Sequence, residues 1–169
     1  TFINFESGAL FTGINDIRNG NNGTLFSLKN DFSTPVSPFL RLRAGILLNG
    51  KNHFSFLYAP LKIVVNGTIE KKILFDGKDF KANLPIEAIY KFNSYRFTYN
   101  RRIIIKDNFK IGLGLSAKIR DAGVSLKNRE HLRENFSIGF VPLVNLLANW
   151  DISQKMGIDF FGEGIIASK

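Results

Sequence analysis

The chain has 169 residues, 44% of them hydrophobic, with 17 Phe, 15 Gly and no Cys. That size suits one folded domain with its own core, and the lack of Cys excludes a disulfide framework and the common zinc sites. The 23 Lys and Arg against 14 Asp and Glu leave a charge of +9, which raises the question of a nucleic-acid partner but is too moderate for a disordered chain.

Period-two alternation of polarity, the signature of half-buried strands, runs through the chain in order. In residues 2–15, Ile3, Phe5, Ala9 and Phe11 oppose Asn4, Glu6, Gly8 and Thr12. In 39–48, Leu40, Leu42, Ala44, Ile46 and Leu48 oppose Phe39, Arg41, Arg43 and Gly45. In 52–65 the phase changes near Ala59-Pro60, which predicts a bulge or an edge distortion. In 88–105, Tyr95, Phe97, Tyr99, Ile103 and Ile105 share a face on which Arg101 is out of place. Residues 109–120 are the cleanest: Phe109, Ile111, Leu113, Leu115, Ala117 and Ile119 alternate with Lys110, Gly112, Gly114, Ser116, Lys118 and Arg120. Segments 134–152 and 156–168 complete seven predicted strands, the last fading after Glu163.

The connections alternate in length. Residues 49–52, 106–108 and 153–155 are short turns, whereas 16–37, 66–87 and 121–135 read as long loops. An up-and-down meander then has its short turns at one end and its long loops at the other, as in barrels with short periplasmic turns and long extracellular loops. No apolar run approaches the roughly 18–20 residues of a membrane helix, but barrel strands need only about 9–11 residues of alternating polarity. The predicted class is therefore all-β, an antiparallel up-and-down transmembrane β-barrel. A soluble barrel would point its apolar face inward and its charged face outward. An eighth strand could lie within a loop, at Thr24–Phe32 or Lys71–Phe80.

Several stretches resemble a family of Gram-negative outer-membrane β-barrel proteins, mostly of uncharacterised function. They are Phe5-Glu6-Ser7-Gly8-Ala9-Leu10, Phe39-Leu40-Arg41-Leu42-Arg43-Ala44-Gly45, Leu57-Tyr58-Ala59-Pro60-Leu61, Phe92 to Tyr99, Gly112 to Ala122, and Gly139-Phe140-Val141-Pro142-Leu143. The resemblance implies a bacterial outer-membrane location, lipopolysaccharide as the surrounding lipid, and an already removed signal peptide. It also implies a barrel that continues past a Glu-Gly pair like Glu163-Gly164. Residues 1–169 accordingly read as a single β-barrel domain of seven strands, C-terminally incomplete or closed by another chain, with about eight to ten strands when complete.

The polar phase is the main candidate site. Arg41, Arg43, Arg96, Arg102, Lys110, Lys118 and Arg120 point one way, with Glu6, Asp151, Asp159 and Glu163 as partners. A narrow barrel would pair these as a plug, and a wider one would offer a water-filled path favouring anions. The opposite phase holds Tyr95, Phe97, Tyr99, Phe109, Phe136, Phe140 and Trp150, an expected lipid-facing band and interfacial girdle. Aromatics and cations on opposite faces argue against a nucleic-acid platform. The three long loop segments hold nine basic and nine acidic residues, so the excess charge belongs to the lumen and the short-turn rim.

These readings predict a non-enzymatic barrel, structural or passing small solutes or anions, with no cofactor and no metal, since His53 and His131 lie far apart. Two alternatives are weighed beside it. Small lipid A deacylases use a His and a Ser two residues apart on one strand face, as in His53-Phe54-Ser55. A soluble β-barrel binding an apolar ligand is the other.

Overall fold

A strand with one wet and one dry face must sit in a sheet that separates two environments, and seven such segments in series build one sheet. The computed structural model describes residues 1–165. Among these there is no helix, and the main sheet is antiparallel and strongly curled, a half-barrel. Its strands are β1 (Phe2–Leu10), β4 (Ser37–Leu48), β5 (Asn52–Ala59), β6 (Lys62–Thr68), β9 (Pro85–Ile105), β10 (Phe109–Lys127), β11 (Leu132–Ser153) and β12 (Met156–Gly164). The order is β1-β4-β5-β9-β10-β11-β12, with β6 continuing the line of β5 along β9. The short segments β2 (Asp16–Ile17), β3 (Phe26–Ser27), β7 (Ile73–Phe75) and β8 (Lys78–Phe80) form two separate small hairpins. Neither Thr24–Phe32 nor Lys71–Phe80 therefore adds a strand to the sheet. Residues 166–168 of the predicted last strand lie outside the described residues.

The short turns fall where the sequence places them. Asn49 and Gly50 both adopt positive φ, 51° and 66°, and Lys51 N–H donates to Leu48 O at 3.1 Å. Two successive positive-φ residues turn the chain tightly, and the ladder resumes at Leu48↔Asn52. Two predictions about the opposite end need correction, one wholly and one in part. Residues 121–135 are not a long loop: β10 and β11 pair without interruption to Lys127↔Leu132, closed by residues 128–131. At Ala59-Pro60 there is no bulge against β9, because Ala59↔Ser94 and Lys62↔Lys91 keep one register and Phe92 N–H donates to Leu61 O at 2.8 Å. The edge does change there: pairing with β4 ends at Tyr58, and β6 pairs with β9 alone.

Both errors have one cause. The concave face changes from polar to apolar partway along the strands without any change of register. On β9 the concave face reads Asn100, Thr98, Arg96 and Ser94, then Phe92, Tyr90, Ala88 and Ile86. On β10 it reads Ser116, Lys118 and Arg120, then Ala122, Val124 and Leu126. On β5 and β6 it passes from Ser55 to Ile63 and Val65. The switch lies at one level, since Ala59 pairs with Ser94 and Ser94 with Arg120. The one irregularity in the β9–β10 ladder is near the other end, where Arg102 pairs with Gly112 and Ile104 with Ile111, skipping Ile103. Past that point Ile104 takes the convex phase and Ile105 the concave one, so Ile103 and Ile105 do not continue the Tyr95 face, while Arg101 stays on it opposite Leu113.

Above the switch the two long loops fold onto the concave face and make a dry core. Phe26, Leu28, Phe32, Ile69, Ile73, Phe75 and Phe80 from the loops pack with Ile63, Val65, Ile86, Ala88, Val124 and Leu126 from the sheet. Phe26 meets Phe32 and Phe75 edge-on, both at 6.2 Å between ring centroids. The loops are tied together where Thr24 N–H donates to Leu74 O and Leu74 N–H to Thr24 Oγ1, each 3.0 Å. Asp31 Oδ2 accepts from Ser27 N–H at 2.8 Å and from Lys71 Nζ at 2.9 Å. Burial opposes the Asp31 carboxylate, but the Ser27 amide and the Lys71 ammonium outweigh it and hold its pKa below the ordinary value.

Phe75→Ala should cost the cap about 3–5 kcal/mol, read as faster amide exchange over 69–84 with exchange in β11 and β12 unchanged. Because the Asp31 pKa is depressed in the fold, its contribution is complete above the unfolded carboxylate value and is lost as pH falls through the folded one. Peptic cleavage within 11–36 should therefore rise as pH drops below about 4. Asp31→Asn should remove that dependence and leave the segment open to cleavage throughout.

Candidate functional site: the polar concave face

Below the switch, register decides which polar groups meet. Glu6 and Arg41 are direct cross-strand partners, and Arg41 Nη1 reaches Glu6 Oε2 at 3.0 Å with both side chains 42% exposed. Lys110 Nζ lies 3.0 Å from Asp151 Oδ2 at the short-turn end. Arg96 on β9 ion-pairs with Glu163 on β12, reaching across β10 and β11, and these side chains are only 19% and 11% exposed. Asn149 and Asp159 are partners on β11 and β12, with Asn149 Nδ2 donating to Asp159 Oδ1 at 2.6 Å. Lys118 sits over the Phe92 ring at 5.6 Å, and Arg43 over the Phe161 ring at 5.7 Å. Arg120 Nη2 donates to Ser137 Oγ at 3.4 Å, and Arg102 Nη1 to Gly50 O at 3.3 Å. The predicted polar residues thus share the concave face, where Glu6, Arg41, Arg43, Arg102 and Asp159 line one hollow and Glu6, Asp151 and Glu163 each hold a basic partner.

Neutral side chains that carry no charge signal link these pairs. Thr98 Oγ1 and Ser116 Oγ lie 3.1 Å apart, and Ser116 Oγ donates to Glu163 Oε1 at 2.6 Å. Asn145 Nδ2 donates to Ser116 Oγ and to Tyr99 O, both at 3.1 Å. Its Oδ1 accepts from Asn100 Nδ2 at 2.7 Å. Asn100 and Asn145 are not neighbours: each pairs with Gly114, on the strand between them. Their side chains meet across β10 because Gly114 has none there. A Cβ on Gly114 would lie 2.6 Å from Asn100 Cα and strike the Tyr99 carbonyl oxygen. The signal for this tie was present as Gly112 and Gly114 in the polar phase, but alternation alone does not say which residues flank them.

The convex face below the switch is apolar and exposed, including Leu42, Phe56, Phe97, Leu113, Leu115, Phe140, Leu146, Trp150 and Phe160. Its aromatics gather at two levels. Tyr58 stacks on Tyr95 at 5.2 Å, and Tyr95 is in line with Ile119 and Phe140. Phe109 pairs with Trp150 beside the short turns. Tyr99, in line with Leu115, packs on Phe54 at 4.9 Å and donates its hydroxyl to Asn52 Oδ1 at 3.0 Å. Phe97 pairs with Phe56 between the levels. Phe136 lies above them, with Lys91 Nζ 5.6 Å from its ring centre.

His53 and Ser55 share the concave face, as strand period requires. The His53 ring stacks on Phe2 at 5.6 Å and 4°, and among the described residues no hydrogen bond joins it to Ser55 or to a carboxylate. The arrangement holds the imidazole flat against the Phe2 ring. No protein-family model matches the chain, and no curated protein matches it.

Glu163→Ala should destabilise the sheet by about 3 kcal/mol, because it leaves the Arg96 charge largely buried and unpaired. Urea unfolding in detergent would measure this, and the double variant with Arg96→Leu should recover much of the loss. Gly114→Val should be worse, since it forces β9 and β10 apart along with the Asn100–Asn145 bond.

Proposed function

We propose that this half-barrel is the wall of a bacterial outer-membrane β-barrel, non-enzymatic, with short turns in the periplasm, capped loops outside and an Arg/Lys-rich lumen. The observation that carries the reading is the inversion of polarity. Below the switch, apolar side chains face out and ionic ones face in, which is the arrangement for a strand between lipid and water. Above it, on β6, β9 and β10, the apolar side chains face in and are covered, which is the arrangement for water outside; β11 keeps Phe136 and Ile138 on the convex face.

The height of the apolar band agrees. Phe109 to Ile119 on β10 spans ten residues between the two aromatic levels. At about 3.3 Å per residue and a tilt of about 40°, that is roughly 25 Å, the height of an outer-membrane apolar band. Lipid on the convex face also accounts for so much exposed apolar surface, far more than scattered surface residues would need. The reading requires the free edges of β1 and β12 to be paired in the membrane, since unpaired backbone is costly in lipid. Further strands, or another chain, would close a barrel of about eight to ten strands. The paired lumen suits a structural role or slow passage of small anions rather than a wide pore.

In mild detergent the protein should migrate faster on gels unheated than boiled. Recovery as a stable monomer without detergent would overturn the membrane reading. Leu115→Arg, in the middle of the band, should cost about 2–4 kcal/mol of folding into vesicles, whereas Lys72→Glu in the second loop should change it little.

A further inference from the structure

The hollow at the short-turn end has a volume of about 540 Å³, within the usual range for small-ligand sites. Strands β1, β4, β5, β9, β11 and β12 line it, while β10 contributes no lining residue, its Gly112 and Gly114 lying between Asn100 or Arg102 on one side and Asn145 or Leu147 on the other. The ionisable groups facing it are Arg41, Arg43, Arg102, His53, Glu6 and Asp159. Arg41 is neutralised by Glu6 and Asp159 is held by Asn149. Arg43 makes no hydrogen bond or ion pair among the described residues, only its contact with the Phe161 ring. Arg102 makes one long bond to Gly50 O, and its Nε is buried without an acceptor. Asn100, fully buried, keeps Oδ1 without a donor in the same wall.

Among the described residues, two guanidinium groups thus make no ion pair, beside the rings of Phe2 and Phe161 and the side chain of Leu147. Cations that have lost water and gained no anion are costly, and a ligand that supplies the anion relieves that cost. The rings and Leu147 would cover an apolar body that inorganic anions lack. We infer that the lower lumen is a binding site for a small organic anion, a carboxylate with a flat apolar body, held by Arg43 and Arg102 between Phe2 and Phe161. The Arg96–Glu163 pair and the capped core lie on the loop side, so the ligand enters from the short-turn end. The inference rests on the concave face being a lumen, as proposed above.

The test is calorimetric titration of the protein in non-ionic detergent with benzoate, benzylamine and inorganic phosphate, alongside its heat-modifiable mobility. Benzoate should bind saturably, about tenfold more weakly after Arg43→Gln and again after Arg102→Gln, with variants compared at equal heat-modifiable fraction. Benzylamine and phosphate should not displace it. Benzoate binding indifferent to both substitutions, benzylamine binding equally well, or phosphate competing on equal terms would overturn the site. A heat-modifiable wild-type protein that binds no benzoate overturns the site alone. Loss of heat modifiability in the wild type overturns the lumen itself, and the site with it.

Discussion

Every strand in the main sheet must satisfy its backbone laterally, and that demand holds whatever surrounds the side chains. The β5–β9 and β6–β9 ladders keep one register across Pro60, and the β9–β10 and β10–β11 ladders run straight past the same level. The backbone is therefore continuous while the side-chain environment reverses. Shifting a strand by one residue would put Arg96 and Arg120 among convex apolar residues and Leu126 outside the dry core. The reversal consequently fixes register twice, once from each half, and a slip that suited one half would ruin the other.

The concave face shows how a curled sheet handles many charges. Cross-strand pairing supplies the near partners, as with Glu6 and Arg41. Longer reaches depend on what is missing between strands: Gly114 leaves room for Asn100 to meet Asn145, and small Ser116 lets Glu163 approach Arg96. Glycine in a strand interior normally weakens it. Here the lost packing is offset by side-chain bonds that tie β9 to β11 and β12 directly, bracing the curl from inside.

Much of this was legible from period two alone. Residues 109–120 announce their faces because one side is uniformly apolar, and the polar phase named the residues that share the concave face. What stayed hidden lies where the rule changes sign. From Ala122 to Leu126 the apolar residues continue at every second position, but on the opposite phase, and beside Asp121 and Lys127 they resemble a loop. Ile63 and Val65 produce the same effect after Tyr58, and Pro60 makes a bulge the natural inference. The loop core could not be read because Phe26, Phe75 and Leu126 are far apart in sequence and none shows periodicity with the others. His53 and Ser55 illustrate the reverse limit: spacing puts two side chains on one face, but Phe2 decides what the imidazole does there.

The capped core also bears on how such a molecule could ever leave the place where it folds. Its interior needs the far ends of β6, β9 and β10 together with both loops, so it cannot form until those strands are aligned. If the strands thread a bilayer, the loops must cross it extended and collapse only on the far side. Withdrawal would require the buried Phe26, Phe75 and Phe80 to be unpacked first, each worth about 1.5–3 kcal/mol. The cap then acts as a toggle bolt, slender in passage and broad once set. It would give the inserted state a long lifetime through slow escape, independent of how favourable the final equilibrium is.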